Sequence, residues 1–269
     1  MDMYFSKAPL VEIIAELRWV GSSSAAQTQL NVPGFVPIAP QGTAKLDEFF
    51  AKFGSEIFQA GFQRSEKIMP PGFPPILFQP AYRYRPIGDQ SELVQIGAGM
   101  FSANAVPPYR SWKEFSPMVS KSIDILLSSR VDEEKALPFS SVTLRYIDAF
   151  GVEYFGGKTS GEFIREILGF SIVPPKAISN VMMEGGLVTT GMQLSMPIEN
   201  NLVMNINVGD GMANGSPAVI LDTTVSCNSG IEPTEHAVMS VLNSSRAVIH
   251  KMFFDMTQPL HPIMQPREG

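Results

Sequence analysis

Hydrophobic and polar residues alternate along the stretch from Pro9 to Trp19. Every second position is apolar, namely Val11, Ile13, Ala15, Leu17 and Trp19. The positions between them carry Glu12, Ile14, Glu16 and Arg18. A period of two with β-branched and aromatic residues predicts a β-strand that is buried on one face.

A second predicted strand, Ser141–Phe150, repeats the end of the first. Glu16-Leu17-Arg18-Trp19 corresponds to Thr143-Leu144-Arg145-Tyr146. After each of these strands the pattern predicts a helix, several antiparallel strands and another helix. We therefore predict an internal duplication, with one half at residues 1–135 and the other at 136–269, folded together as one compact unit.

Apolar residues recur at helical spacing in four segments. These helices are predicted at Thr43–Ala60, from Ser111 onward, at Thr159–Leu168, and from Pro233 or Thr234 to Met256. Ser111 with Glu114, and Thr159 with Glu162, have the spacing of a capping box, in which the two side chains bond each other's free backbone N–H groups. Pro117 should kink the second helix or mark its true start.

The remaining strands are predicted at Gln63–Met69, Leu77–Arg85, Leu93–Asn104, Leu187–Ile198, Leu202–Val208 and Ala218–Ser226. A long connection, Gly21–Pro40, and a proline-rich loop, Pro70–Pro75, separate some of these elements. The predicted fold class is α+β, with helices packed on one face of an antiparallel sheet and each half similar to a helix-grip unit. The concave space between the halves is the expected pocket.

Composition narrows the function classes. The chain of 269 residues has a net charge of −6 and no lysine- or arginine-rich run, which argues against sequence-independent nucleic-acid binding. A single cysteine, Cys227, excludes an intrachain disulfide. Met1–Lys7 does not have the pattern of a secretory signal, and no apolar run has the length of a membrane helix. We expect a cytoplasmic protein that does not enter the membrane.

The sequence predicts no catalytic residue, cofactor or metal site. Gly97–Ser102 resembles a dinucleotide-binding turn but lacks the third glycine, so glycines that permit a bulge or close packing explain it better. His236 and His250 are too far apart on one helix to share a metal. Cys227 has no base that its sequence neighbours could supply, and a partly buried, inert thiol is expected.

Charged residues on the two opening strands form the best polar constellation. It consists of Glu12, Glu16, Arg18, Arg145 and Asp148. If the strands are adjacent, these charges could form a structural ion-pair network that fixes how the halves dock, which is the preferred interpretation. They could instead line a pocket as acid–base or anion-binding groups. Possible pocket aromatics are Tyr82, Tyr84 and Trp112.

The segments Lys7–Glu12 and Glu16–Trp19 resemble the opening of a sporadically distributed bacterial family for which no activity is established. Val94–Gly97, the aromatic pattern Tyr109-x-x-Trp112-x-x-Phe115, Leu144–Ile147, and Ile249-His250 with Phe254 and Thr257 also fit that family. The resemblance implies no catalytic residues. Its patchy occurrence implies the mobile accessory genome, where phage-defence and toxin–antitoxin genes occur.

We therefore expect a non-enzymatic binding protein with a protein partner, possible links being phage defence or a toxin–antitoxin pair. The alternative is a small-molecule sensor or enzyme with a pocket between the halves. A homodimer through strand edges or the last helix is also expected, because unprotected edges pair.

Overall fold

The computed structural model describes residues 3–20, 40–70, 73, 75–88, 91–108, 111–171, 175–181 and 191–268. Within these ranges the chain has the predicted α+β class, with helices and one large antiparallel sheet. The predicted connection Gly21–Pro40 falls almost wholly outside the described residues, as do parts of Pro70–Pro75 and the beginning of the strand predicted from Leu187.

The described strands are β1 (Met3–Phe5), β2 (Leu10–Arg18), β3 (Arg64–Lys67), β4 (Pro80–Arg85), β5 (Glu92–Gly97), β6 (Met100–Ala105), β7 (Ser141–Gly151), β8 (Gly191–Ile198), β9 (Leu202–Ala213), β10 (Ser216–Cys227) and β11 (Pro266–Glu268). The helices are α1 (Pro40–Gln59), α2 (Trp112–Ser129), α3 (Asp132–Lys135), α4 (Val152–Phe155), α5 (Ser160–Glu166), α6 (Lys176–Ser179), α7 (Glu235–Met256) and α8 (His261–Met264). A 3₁₀ turn, Gln258–Leu260, precedes α8.

In the described residues, nine strands form one sheet in the order β3-β4-β5-β6-β2-β7-β10-β9-β8, and β1 pairs separately with β11. Every neighbouring pair in the large sheet is antiparallel. The two opening strands, β2 and β7, are adjacent at the centre. On its other side β2 pairs with β6, and β7 pairs with β10, which is in each case the strand before a long helix.

Buried and more exposed residues alternate along strand β2 as predicted, except at its beginning. Ile13, Ala15, Leu17 and Trp19 are buried. Val11 was predicted on the same face but is 40% exposed. The pairing of β2 with β7 shifts between Leu10 and Glu12, and such a bulge inserts one residue and interrupts the alternation.

The hydrophobic core lies between one face of the sheet and helices α1, α2, α5 and α7. Phe53 of α1 contacts the rings of Tyr84 on β4 and Phe101 on β6. At the other end, Phe253 of α7 stacks on Phe150 of β7. Because each helix has one apolar stripe and each strand one apolar face, the burial of the stripes on the sheet follows from the sequence pattern.

Several predicted boundaries change. Helix α1 begins at Pro40 rather than Thr43, since proline is well suited to the first helical position. Helix α2 continues through Pro117, and Ser111 makes no side-chain capping bond, so the capping box predicted there is absent. The predicted box at Thr159 and Glu162 is confirmed. Helix α7 begins after Thr234, whose side chain caps it.

The single strand predicted at Leu93–Asn104 is wrong, because the chain turns at Ala98-Gly99 to form the hairpin β5–β6. Gly99 has a positive φ of 68°, which glycine adopts easily. A Cβ on Gly97 would lie 1.9 Å from the backbone oxygen of Gln79. Close backbone packing therefore accounts for both glycines, and no helix follows the turn as dinucleotide binding would require.

A buried guanidinium fixes the end of α2. Arg130 is sandwiched between the rings of Trp19 and Phe139, at 5.1 and 5.0 Å from its Cζ. It donates to the backbone oxygen of Leu137 at 3.1 Å, while Trp19 Nε1 donates to Glu134 at 2.7 Å. Burial lowers the pKa of Arg130 to about 10. These contacts join the end of β2 to the segment between α2 and β7.

Candidate functional site

The sheet face opposite α1, α2, α5 and α7 has a polar groove at its centre, which we call the open-face groove. Its volume is about 1000 Å³, including space open to solvent. The lining side chains come from β2, β7, β9 and β10 and include Glu16, Arg18, Thr143, Arg145, Asp222 and Ser226. They meet because successive side chains of a strand point to opposite faces and β2 is adjacent to β7.

Arg18 forms an ion pair within its own strand. Its Nε lies 2.6 Å from Glu16 Oε1, and its guanidinium lies over the ring of Phe78 at 5.5 Å. Residues two apart in a strand share a face, which explains the pairing. The Arg18 side chain is 44% exposed, so this pair presents its charges to solvent.

Arg145 has a partner that sequence reasoning missed. Its Nε and Nη2 donate to the two carboxylate oxygens of Asp222 on β10, at 2.8 and 2.6 Å. This bidentate pairing raises the pKa of the Arg145 guanidinium. The signal for Asp222 was a single carboxylate in the otherwise uncharged predicted strand Ala218–Ser226, but the sequence did not say which arginine lies beside it.

Glu12 binds an amide instead of an arginine. Asn104 Nδ2 on β6 donates to Glu12 Oε1 at 2.8 Å, and Ser102 Oγ donates to Asn104 Oδ1 at 2.9 Å. Ser102 and Asn104 are buried, so these bonds satisfy polar groups that are removed from water. Glu12 therefore belongs to the same face as Glu16 but to a separate hydrogen-bonded cluster.

Hydroxyl groups continue the polar strip across β7 and β10. The hydroxyls of Thr143 and Ser226 are 2.9 Å apart, and Ser141 Oγ donates to Asn228 Oδ1 at 2.8 Å. The groove thus combines two arginines and two carboxylates with neutral donors and acceptors. The groove lining that the structure describes contains neither histidine nor cysteine.

Asp148 does not join this network, contrary to the sequence-based expectation. It lies three residues from Arg145, and an odd separation in a strand places two side chains on opposite faces. Asp148 is only 4% exposed and faces the helices, and burial raises the pKa of its carboxyl to about 8. The carboxyl borders a cavity, and no hydrogen bond or ion pair joins it to another residue in the described part of the chain.

Asp148 lines a second cavity, which we call the α7 cavity. It lies under the side chains Arg246, Ile249, His250 and Phe253, which share one face of α7. Tyr146 and Trp112 also line it, and its volume is about 620 Å³, including space open to solvent. Trp112 Nε1 donates to Asn243 Oδ1 at 2.7 Å, which joins α2 to α7 beside the cavity.

The other two predicted pocket aromatics line neither of these sites. Tyr82 and Tyr84 share a face of β4, and their ring centroids are 6.4 Å apart. Tyr84 is buried against Phe53, and this burial raises the pKa of its hydroxyl. Both tyrosines therefore belong to the core beneath α1. Of the three, Trp112 alone is a pocket residue of the two sites described.

Cys227 and the histidines form no recognisable catalytic set. Cys227 is buried, with its Sγ 3.3 Å from Ser229 Oγ. His261 Nε2 lies 3.1 Å from the backbone oxygen of Phe254. Among the described residues, no three His, Cys, Asp or Glu side chains cluster closely enough to hold a metal ion.

A scan against protein-family models gives no match for this chain, and neither does a search of curated proteins or of solved structures. In the part of the chain that the structure describes, no helix combines the length and the apolar character needed to span a membrane. The functional assignment therefore depends on the geometry of the open-face groove and the α7 cavity.

Proposed function

We propose that this is a non-enzymatic binding protein that recognises a protein partner through the open-face groove. The supporting observation is the pairing of Arg18 with Glu16 and of Arg145 with Asp222, on a face that the long helices leave uncovered. Each guanidinium is held by its carboxylate, so the groove presents charges at defined positions. Such an array favours a complementary partner surface and fixes its register.

The charge balance favours a protein over a nucleic acid. The two arginines of the groove, Arg18 and Arg145, are matched by two carboxylates, Glu16 and Asp222. Binding to a phosphate backbone needs a net positive surface that releases counterions. A groove with both signs of charge, hydroxyls and amides instead suits a mixed protein surface, where about one hydrogen bond forms per 100–200 Å².

The halves fit an internal duplication of helix-grip-like units, which we propose as the origin of the groove. Glu16 pairs with Thr143 between β2 and β7, and Arg18 and Arg145 each follow this pair by two residues on antiparallel strands. They therefore lie symmetrically on either side of it. The outer neighbours repeat as well, since Ser102 pairs with Glu16 and Ser226 pairs with Thr143.

A second repeat supports the same relation. Ser102-Ala103-Asn104 on β6 corresponds to Ser226-Cys227-Asn228 at the end of β10. Helix α2 follows the first of these segments and α7 follows the second. On this basis the groove lies where the proposed twofold axis crosses the sheet, and each half contributes one arginine.

The family resemblance suggests where the partner should be sought. We propose that the partner is encoded near this protein in the accessory genome, within a phage-defence or toxin–antitoxin system. A homodimer through β8 is part of the proposal. This edge strand has no charged residue, whereas the opposite edge β3 carries Arg64, Glu66 and Lys67, and charges on an edge strand oppose pairing.

Affinity capture from the native host tests the proposed function. We would compare the wild-type protein with the double variant Arg18→Gln and Arg145→Gln. The matched control is Arg165→Gln on α5, whose ion-paired and exposed arginine lies outside the groove. The same partner protein should be enriched by the wild type and the control and lost with the double variant, whose folding is checked by circular dichroism.

Two outcomes would contradict this function. The first is a partner that the double variant retains as well as the wild type does. The second is robust turnover of a common metabolite by the pure protein. Light scattering over micromolar concentrations tests the dimer, and a monomer throughout would refute pairing through β8.

A further inference from the structure

The α7 cavity contains a buried carboxyl that the core does not explain. Asp148 lies between Tyr146 and Phe150 on the face of β7 that packs under the helices. Buried polar groups in proteins are nearly always hydrogen-bonded, and an ionised one without a partner is costly. In the described residues the Asp148 carboxyl has no hydrogen bond or ion pair, and it borders open space of about 620 Å³.

We propose that the α7 cavity is a binding site for a small organic ammonium compound. Its cationic nitrogen lies beside the Asp148 carboxylate, and its apolar body lies against the aromatic wall of the cavity. This site is separate from the open-face groove, because Asp148 and the groove residues are on opposite faces of the sheet.

The lining of the cavity matches both parts of such a ligand. Five residues that line the cavity together with Asp148 carry aromatic rings, namely Tyr4, Phe5, Trp112, Tyr146 and Phe253. The faces of aromatic rings attract organic cations, and a carboxylate supplies the charge-assisted hydrogen bond.

Two basic side chains also line the cavity, but they do not make it an anion-binding site. Arg246 and His250 line it from α7, and both already interact with other residues of the protein, including the ring of Phe254 for His250. Tyr154 on α4 interacts electrostatically with Asp148. Burial raises the pKa of the Tyr154 hydroxyl, and the negative charges of Glu153 and Asp148 add to this effect. The carboxyl of Asp148 is therefore the group whose partner is missing.

Ammonium binding must be coupled to proton release. Burial raises the pKa of Asp148 to about 8, so below that pH the carboxyl of the free protein is protonated. An ammonium group beside it favours the ionised form, and the proton leaves to solvent. Close to one proton should be released for each ligand bound near neutral pH, and the number should fall toward zero above about pH 8.

Isothermal titration calorimetry with 2-phenylethylamine tests the proposal. The control ligands 2-phenylethanol and 3-phenylpropionate share its phenyl body but are neutral and anionic. Titrations in buffers of different ionisation enthalpy measure the protons released. We expect saturable binding of the amine only, with proton release near neutral pH and tighter binding as the pH rises toward about 8.

The variant Asp148→Asn should weaken binding of 2-phenylethylamine by about tenfold or more, since a hydrogen bond to a charged group is worth about 1.5–3 kcal/mol. The matched control Asp132→Asn removes an exposed carboxylate on α3 and should leave binding unchanged. Stronger binding of 3-phenylpropionate, equal binding of the neutral alcohol, or no saturable binding of the amine would overturn the proposal. Should Asp148→Asn fail to fold, the absence of proton release in the wild type would overturn it equally.

Discussion

The unpaired carboxyl of Asp148 should make the stability of the protein decrease as the pH rises from about 4 to about 8. Its pKa is raised from 3.8 to about 8 by burial, so over this interval the folded protein holds a proton that the unfolded chain has released. Stability falls with pH wherever the folded state binds more protons. Below the unfolded pKa both states are protonated, and the carboxyl has no effect.

The size of the effect follows from the shift. One pKa unit corresponds to 1.36 kcal/mol, so a shift from 3.8 to about 8 costs about 5–6 kcal/mol once the pH is above both values. Small domains are stable by only about 5–15 kcal/mol, so this one group should dominate the loss of stability toward alkaline pH. The variant Asp148→Asn cannot ionise, and it should not show this loss.

Urea unfolding of the wild type and of Asp148→Asn, repeated at several pH values between about 5 and 9, measures this difference. In the variant, the buried amide changes the free energy of unfolding by the same amount at every pH. The test therefore depends on how the free energy of unfolding changes with pH. The stability of the variant relative to the wild type should increase steadily with pH. Asp132→Asn is the control, and its curve should run parallel to the wild type above neutral pH. Parallel curves for Asp148→Asn and the wild type would refute the reasoning.

Three further substitutions test the fold and the groove by thermal and urea unfolding. Arg145→Ala should cost about 1 kcal/mol or less, because its side chain is 41% exposed and exposed ion pairs are weak; a loss of several kcal/mol would contradict this. Gly97→Ala should cost at least about 1–3 kcal/mol, because the new Cβ would meet the Gln79 oxygen at 1.9 Å; unchanged stability would mean that the hairpin relaxes. Thr159→Ala removes the capping box of α5 and should cost about 1 kcal/mol, whereas Thr159→Ser should retain most of it.

The prediction for Arg145 shows where sequence reasoning overestimated an interaction. The preferred interpretation of the sequence was a structural ion-pair network that includes Arg18 and Arg145, and if such a network were buried, loss of one partner would typically cost about 3–5 kcal/mol. The structure does place each arginine next to a carboxylate, but on a face with substantial exposure. Solvent screening therefore reduces the expected loss.

Local periodicity by itself determined much of the architecture. The alternation of β2 follows from side chains that point to opposite faces, and α7 follows from an apolar stripe with Thr234 as its cap. The α+β class follows from the same patterns. The ends of elements were predicted less accurately where one segment fits two local structures. At Ala98-Gly99 the alternating pattern predicted one continuous strand, but the chain forms a hairpin.

Only the tertiary structure decided which residues of different elements meet. Arg145 and Asp222 are separated by 77 residues, and only the pairing of β7 with β10 brings them together. Whether the Asp148 carboxyl has a partner likewise depends on the side chains that α2 and α7 place around it. The local sequence around Asp148 does not contain this information. Periodicity assigns a side chain to a face of its own strand or helix, whereas the neighbours across that face depend on sheet order and helix docking, which result from the packing of the whole chain.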